Sequence, residues 1–158
     1  MVWVTHDDYA VLRCRVLEPD VWCHECGARG VPRDTVLRRL AHVPLGWRPT
    51  ILQVRVRRYR CSGCEHVWRQ DTTAAAAPRA KLSRHAVLWA LKSVVLDRLS
   101  IARVAAGLGA SWHTVNDAVL AVGRQLLIDD PARLDGVRVL GVEETPGATP
   151  AAATGSSR

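Results

Sequence analysis

Nothing in the 158 residues approaches the roughly 18 consecutive apolar residues of a membrane span; the longest apolar run, residues 86–96, is interrupted by Lys92. The N-terminal Met-Val-Trp-Val-Thr-His lacks the basic patch and apolar core of a signal peptide. These absences predict a cytoplasmic protein with no membrane partner. In that reducing compartment the five Cys are expected as metal ligands or buried thiols, not disulfides. Phe is missing altogether, and acidic side chains are scarce in the middle of the chain: residues 27–70 hold ten Arg against Asp34 and Glu65. Residues 1–26 carry a net charge of −3, and the whole chain +7. Such a basic centre suits a polyanion such as nucleic acid, and also suits a surface kept charged for solubility.

What is present is more specific. Cys23-His-Glu-Cys26 and Cys61-Ser-Gly-Cys64 are two Cys-x-x-Cys pairs with 34 residues between them. Each such turn points two thiolates at one centre, and two of them supply the four soft ligands of a closed, structural Zn²⁺ site. Gly27 and Gly63 give the turns backbone freedom. The redox-pair alternative needs a βαβ setting that neither motif has. Four Cys complete the set, so His24 and His66 are left out and no open, catalytic coordination position is expected. Cys14 has no partner at this spacing and reads as a small buried hydrophobe.

The insertion between the pairs predicts a hairpin. Over residues 50–60, Leu52, Val54 and Val56 alternate with Gln53, Arg55, Arg57 and Tyr59, the period of a strand. Residues 35–43 are also β-rich, and Pro44-Leu-Gly-Trp-Arg-Pro49 supplies the turn. Arg38, Arg39, Arg55, Arg57, Arg58 and Arg60 would then be available for phosphates, or form a solvated face.

Thr72-Thr-Ala-Ala-Ala-Ala-Pro78 separates this half from a Leu/Val/Ala-rich one and predicts a linker over 72–80. In the second half, Leu88, Leu91, Val95 and Leu99 mark a supporting helix. Residues 101–120 fit a helix-turn-helix: Ala105 is small at the crossing, Gly109 offers a left-handed turn, Ser111 caps the next helix, and Val115 with Ala118 faces the core. On that helix Trp112, His113, Asn116 and Asp117 would meet base edges, with Ser111 and Thr114 on phosphates. Trp112 either reads DNA or folds back onto the preceding helix. The last stretch, Thr145 to Arg158, has no large apolar side chain and is expected to be disordered.

Taken in order, the Cys-x-x-Cys-Gly knuckle, Arg58-Tyr-Arg-Cys-x-x-Cys64, Leu108-Gly-Ala-Ser-Trp-His-Thr-Val115 and Leu140-Gly-Val-Glu-Glu144 resemble the ISL-three family of bacterial insertion-sequence transposases. The resemblance covers residues 9–144. It implies an N-terminal zinc-binding domain and a helix-turn-helix ahead of an RNase-H-like domain with an Asp-Asp-Glu metal triad. Where the family pattern has the first Asp, this chain has Glu143, and no later carboxylate follows Glu144.

The expectation is therefore an α+β protein: a small β-rich Cys-four zinc domain (1–71), a linker (72–80), an all-helical helix-turn-helix domain (81–128), the start of a truncated RNase-H-like domain (129–144) and a tail (145–158). The expected function is nucleoid-associated, sequence-specific binding to the terminal inverted repeats of a transposon without catalysis. A homodimer, or a heteromer with an intact transposase, would be the protein partner. Two alternatives are a transposase whose catalytic residues come from another chain or frame, and a zinc-containing transcription regulator.

Overall fold

The computed structural model describes residues 2–5, 8–139 and 141. Among them, five strands form one mixed sheet and three α-helices pack at one end of it. The strands are β1 (Val2–Thr5), β2 (Ala10–Arg15), β3 (Gly30–Leu45), β4 (Arg48–Cys61) and β5 (Val67–Arg69). Their order is β1-β2-β4-β3, with β5 also pairing β4. The long β3–β4 hairpin is the frame: its register runs from Gly30 opposite Cys61 to Leu45 opposite Arg48. β2 runs parallel to β4, setting Arg13 beside Gln53 and Arg15 beside Arg55.

Alternation divides the hairpin into two faces. Val54, Val56 and Leu40 are buried against Ala76, with Leu52, Val36, Cys14, Ala75 and Ala80 packed around them. Residues 72–80 thus do more than connect. Their small side chains close this core, and Arg38 donates to Thr72 Oγ1 (2.6 Å) and to the carbonyl of Ala77 (2.6 Å). Cys14 is half-buried at the same core's edge.

The helices are α1 (Arg84–Val95), α2 (Ile101–Leu108) and α3 (Trp112–Gly123), capped by the side chains of Ser83, Ser100 and Ser111. Their core is Leu82, Ala86, Ala90, Leu91, Val104, Ala105, Leu108, Val115 and Val119. On α1 only part of the sequence-predicted stripe is inside: Leu91 is buried, whereas Leu88 and Val95 are about half exposed. The alanines bring the helices close enough that α1 buries Ala86 and Ala90 instead. Sheet and helices are stitched at Ala41, whose N–H donates to the Lys81 carbonyl and whose carbonyl accepts from Ser83 N–H, both at 2.9 Å. The buried Ser83 hydroxyl also meets His42 Nδ1 at 2.7 Å.

Gly109 ends α2 in the left-handed conformation (φ 61°), and a Cβ there would lie 3.1 Å from Pro49 Cβ. Gly109→Ala should therefore lower stability by about 1–2 kcal/mol from the backbone alone, read as a drop in urea midpoint. An unchanged midpoint would show that this corner relaxes freely. Beyond α3 the chain widens into a π-turn, Arg124–Ile128. Residues 137–139, in the span expected to start an RNase-H-like domain, make no strand pairing among the described residues; Leu140, Glu143, Glu144 and the tail 145–158 lie outside them. No helix among the described residues is long and apolar enough to cross a membrane.

Candidate metal centre and basic surface

The two Cys-x-x-Cys turns lie at opposite ends of the hairpin's sequence but at one place in space. The first precedes β3, the second ends β4, and the Gly30–Cys61 pairing brings them together. The four sulfurs of Cys23, Cys26, Cys61 and Cys64 lie within 4.8 Å of one another. The Cys23–Cys64 and Cys26–Cys61 separations are 3.6 and 3.4 Å. A tetrahedron with metal–sulfur bonds of about 2.3 Å has edges of about 3.8 Å, so the set fits a metal ion of that kind with little movement. The four cysteines can hold a metal ion; they are the only group of three or more His, Cys, Asp or Glu so arranged among the described residues. His24 instead meets Asp20, 3.1 Å away.

The second knuckle favours the thiolate at Cys61. The N–H groups of Cys64 and Gly63 both point at Cys61 Sγ (3.4 and 3.3 Å) and pull the Cys61 pKa down to about 6. Cys64 is pushed up to about 12: the His66 N–H favours its thiolate, but sharing with the other cysteine sulfurs and burial outweigh it. Tyr59, expected on the exposed Arg face, is instead buried beside the knuckles, because Trp68 of β5 stacks on it with centroids 5.7 Å apart. The short strand β5 gave no sequence signal of its own.

The arginines sort into two groups. Arg58 is bonded to Asp34 through two nitrogens, which raises its own pKa and holds the Asp34 carboxyl below its usual range; Arg60 pairs with Glu65, and Arg38 holds the 72–80 segment. These three are committed within the fold. Arg55 and Arg57, by contrast, lie exposed on one open face of the sheet, and register adds Arg13, Arg15 and Arg39 to it. Arg13, Thr35, Leu37, Gln53 and Arg55 line one shallow depression there. None of the five arginines has an ion-pair partner among the described residues. Sequence reading missed Arg13 and Arg15 because only the parallel β2–β4 pairing reveals them.

The same face continues to α3. Arg39, Ala41 and Ile51 share a cavity with Lys81, Gly109, Ala110, Ser111 and Thr114, at the N-terminus of that helix. Ser111 Oγ accepts from Thr114 N–H (3.3 Å) and lies 2.8 Å from Thr114 Oγ1. Trp112 does not fold back: it is 47% exposed and meets the edge of His113 at 5.2 Å. His113 and Asp117 are exposed and Asn116 half-buried on the same turns. No family model, curated protein or solved structure matches this chain.

Proposed function

We propose that the protein binds double-stranded DNA through α3 and the arginine face of the sheet, with Zn²⁺ at the four cysteines holding that sheet in shape. The observation carrying this reading is the continuity of the surface. Five exposed arginines, without an ion-pair partner among the described residues, run along the sheet and meet, at Arg39, the cavity beneath the N-terminus of α3. From Ile51 to Arg57 the face spans about 20 Å at about 3.3 Å per residue, the axial rise of about six base pairs of duplex. α2, the Gly109–Ser111 corner and α3 then serve as a helix-turn-helix. α3 enters the major groove with Trp112, His113, Asn116 and Asp117 towards base edges, while Arg13, Arg15, Arg39, Arg55 and Arg57 position the duplex.

By its sequence resemblance, the DNA we assign is a transposon end, and the role is recognition by the front part of a transposase. Binding and not strand transfer is the activity we assign to these residues. Zinc follows from ligand chemistry, since four thiolates in a tetrahedral set favour it over harder ions.

The test separates affinity from specificity. Selection from a pool of duplexes with a randomised centre should yield a preferred sequence. Arg57→Ala should weaken binding to every duplex and flatten the salt dependence by about one unit of slope, whereas Asn116→Ala should cost about 1–3 kcal/mol on the preferred sequence only. Equal losses on selected and unselected duplexes for Asn116→Ala would remove α3 from the readout surface. Salt-independent binding by the wild type would remove the arginine face.

A further inference from the structure

The most exposed aromatic side chain for which burial is described is at the tip of the β3–β4 hairpin: Trp47 is 84% exposed. It is not there through slack. Leu45 pairs with Arg48 across the two-residue loop Gly46–Trp47, and Gly46 supplies the positive φ (65°) that the first position of such a tight turn takes. Beneath the loop the fully buried Thr50 accepts from Leu45 N–H (3.0 Å) and donates to the Arg48 carbonyl (3.2 Å), closing the turn from inside. The indole is therefore held out in water by a braced tip. Arg48 lays its guanidinium over the ring, 5.4 Å from the centroid, and keeps a buried Nε with no hydrogen-bond partner among the described residues. The next residue, Pro49, packs at Gly109, the corner leading into α3.

We propose that this tip is a second DNA contact, a minor-groove wedge beside the stretch that α3 meets, with Trp47 against a base step and Arg48 on groove-edge acceptors. The proposal rests on the DNA-binding reading and adds to it a site of different chemistry. A phosphate offers an indole nothing, whereas a partly unstacked base step offers it a flat apolar surface. β-Ribbons are used in either groove, and insertion of an apolar side chain between base steps is the habit of minor-groove binders. Arginine is the side chain drawn into a narrow, A·T-rich groove. Because Pro49 anchors the tip to the α2–α3 corner, helix and wedge would engage the duplex as one rigid unit and fix each other's register.

The experiment compares wild type, Trp47→Ala and Trp47→Phe on the selected duplex, with salt titrations and a competing minor-groove dye. Trp47→Ala should bind about tenfold more weakly, within the range seen for loss of one base–aromatic contact. It should keep the wild-type salt slope, since no charge is removed, and Trp47→Phe should retain most of the affinity. The dye should weaken the wild type more than Trp47→Ala. Unchanged affinity in Trp47→Ala, or indifference of the wild type to the dye, overturns the wedge while leaving the α3 reading intact. Should Trp47→Ala fail to fold, the dye competition on wild type decides alone. Failure of the wild type to bind any duplex removes the DNA reading itself, before a variant is made.

Discussion

Withdrawing the metal from Cys23, Cys26, Cys61 and Cys64 will unfold the knuckle end of the sheet, and Cys61→Ser will do the same with zinc in excess. The core at that end is small: Cys23, Tyr59, Cys61 and Trp68 are buried, with only Val21 and Ala28 packed against them. Two of those four buried side chains, Cys23 and Cys61, belong to the four-sulfur set itself. Comparable small domains draw on the order of 10 kcal/mol or more from their zinc, while whole proteins are stable by about 5–15 kcal/mol. Metal loss therefore outweighs any single packing contact here. Protein purified without chelator should carry one zinc per chain by elemental analysis, and chelation should lower the near-ultraviolet circular dichroism by a component that a Trp68→Phe variant lacks from the start. Cys61→Ser is the sharpest substitution, since its sulfur receives both the Cys64 and Gly63 N–H groups and it closes the Gly30 pairing. Metal-free protein from such a purification, or a Cys61→Ser variant that keeps metal and fold, would remove the structural role.

The local features of this chain were legible because each is written in consecutive residues. Two Cys-x-x-Cys pairs announce a four-sulfur centre, period-two alternation at 50–60 announces β4, and Gly109 followed by Ser111 announces an α2–α3 corner with its left-handed residue and cap. What stayed hidden depends on pairing between distant segments. The parallel β2–β4 ladder brings Arg13 and Arg15 across from Gln53 and Arg55, and no periodicity within residues 10–15 says which strand they meet. Arg58 read as equivalent to Arg57, yet register sets it opposite Asp34 and removes it from the free set. The alanine-rich stretch at 72–80 read as a linker because small residues usually mark one. Small residues also fit where a sheet face has little room, and Ala76 is completely buried there. The hairpin's register decides which guanidinium finds a carboxylate and which stays exposed.

That register has a further consequence at Trp68, where we expect the largest effect of any substitution that spares the ligands. Trp68→Ala should destabilise the protein by about 3–5 kcal/mol, the usual range for deleting a buried large aromatic, and should weaken metal retention with it. The indole is 6% exposed and stacks on Tyr59. Its Nε1–H donates to the Asp20 carbonyl at 2.9 Å, tying β5 to the segment that leads into Cys23. Only a glycine leaves room for it on β3: a Cβ at Gly30 would lie 2.8 Å from Trp68 Cζ2. Gly30→Ala thus attacks the same contact from the other side and should cost about 1–3 kcal/mol by overpacking. Because Gly30 pairs with Cys61, an indole displaced in either variant loosens the backbone that aims a ligand, so the chelator concentration needed to strip the metal should fall in both. The half-exposed Trp112 is the control, since Trp112→Ala should move the urea midpoint little and leave metal retention alone. A Trp68→Ala midpoint no lower than that of Trp112→Ala would mean that the thiolates and their metal hold this end without the aromatic packing. Metal and core would then be independent supports, not the single unit that the shared Gly30–Cys61 rung makes of them.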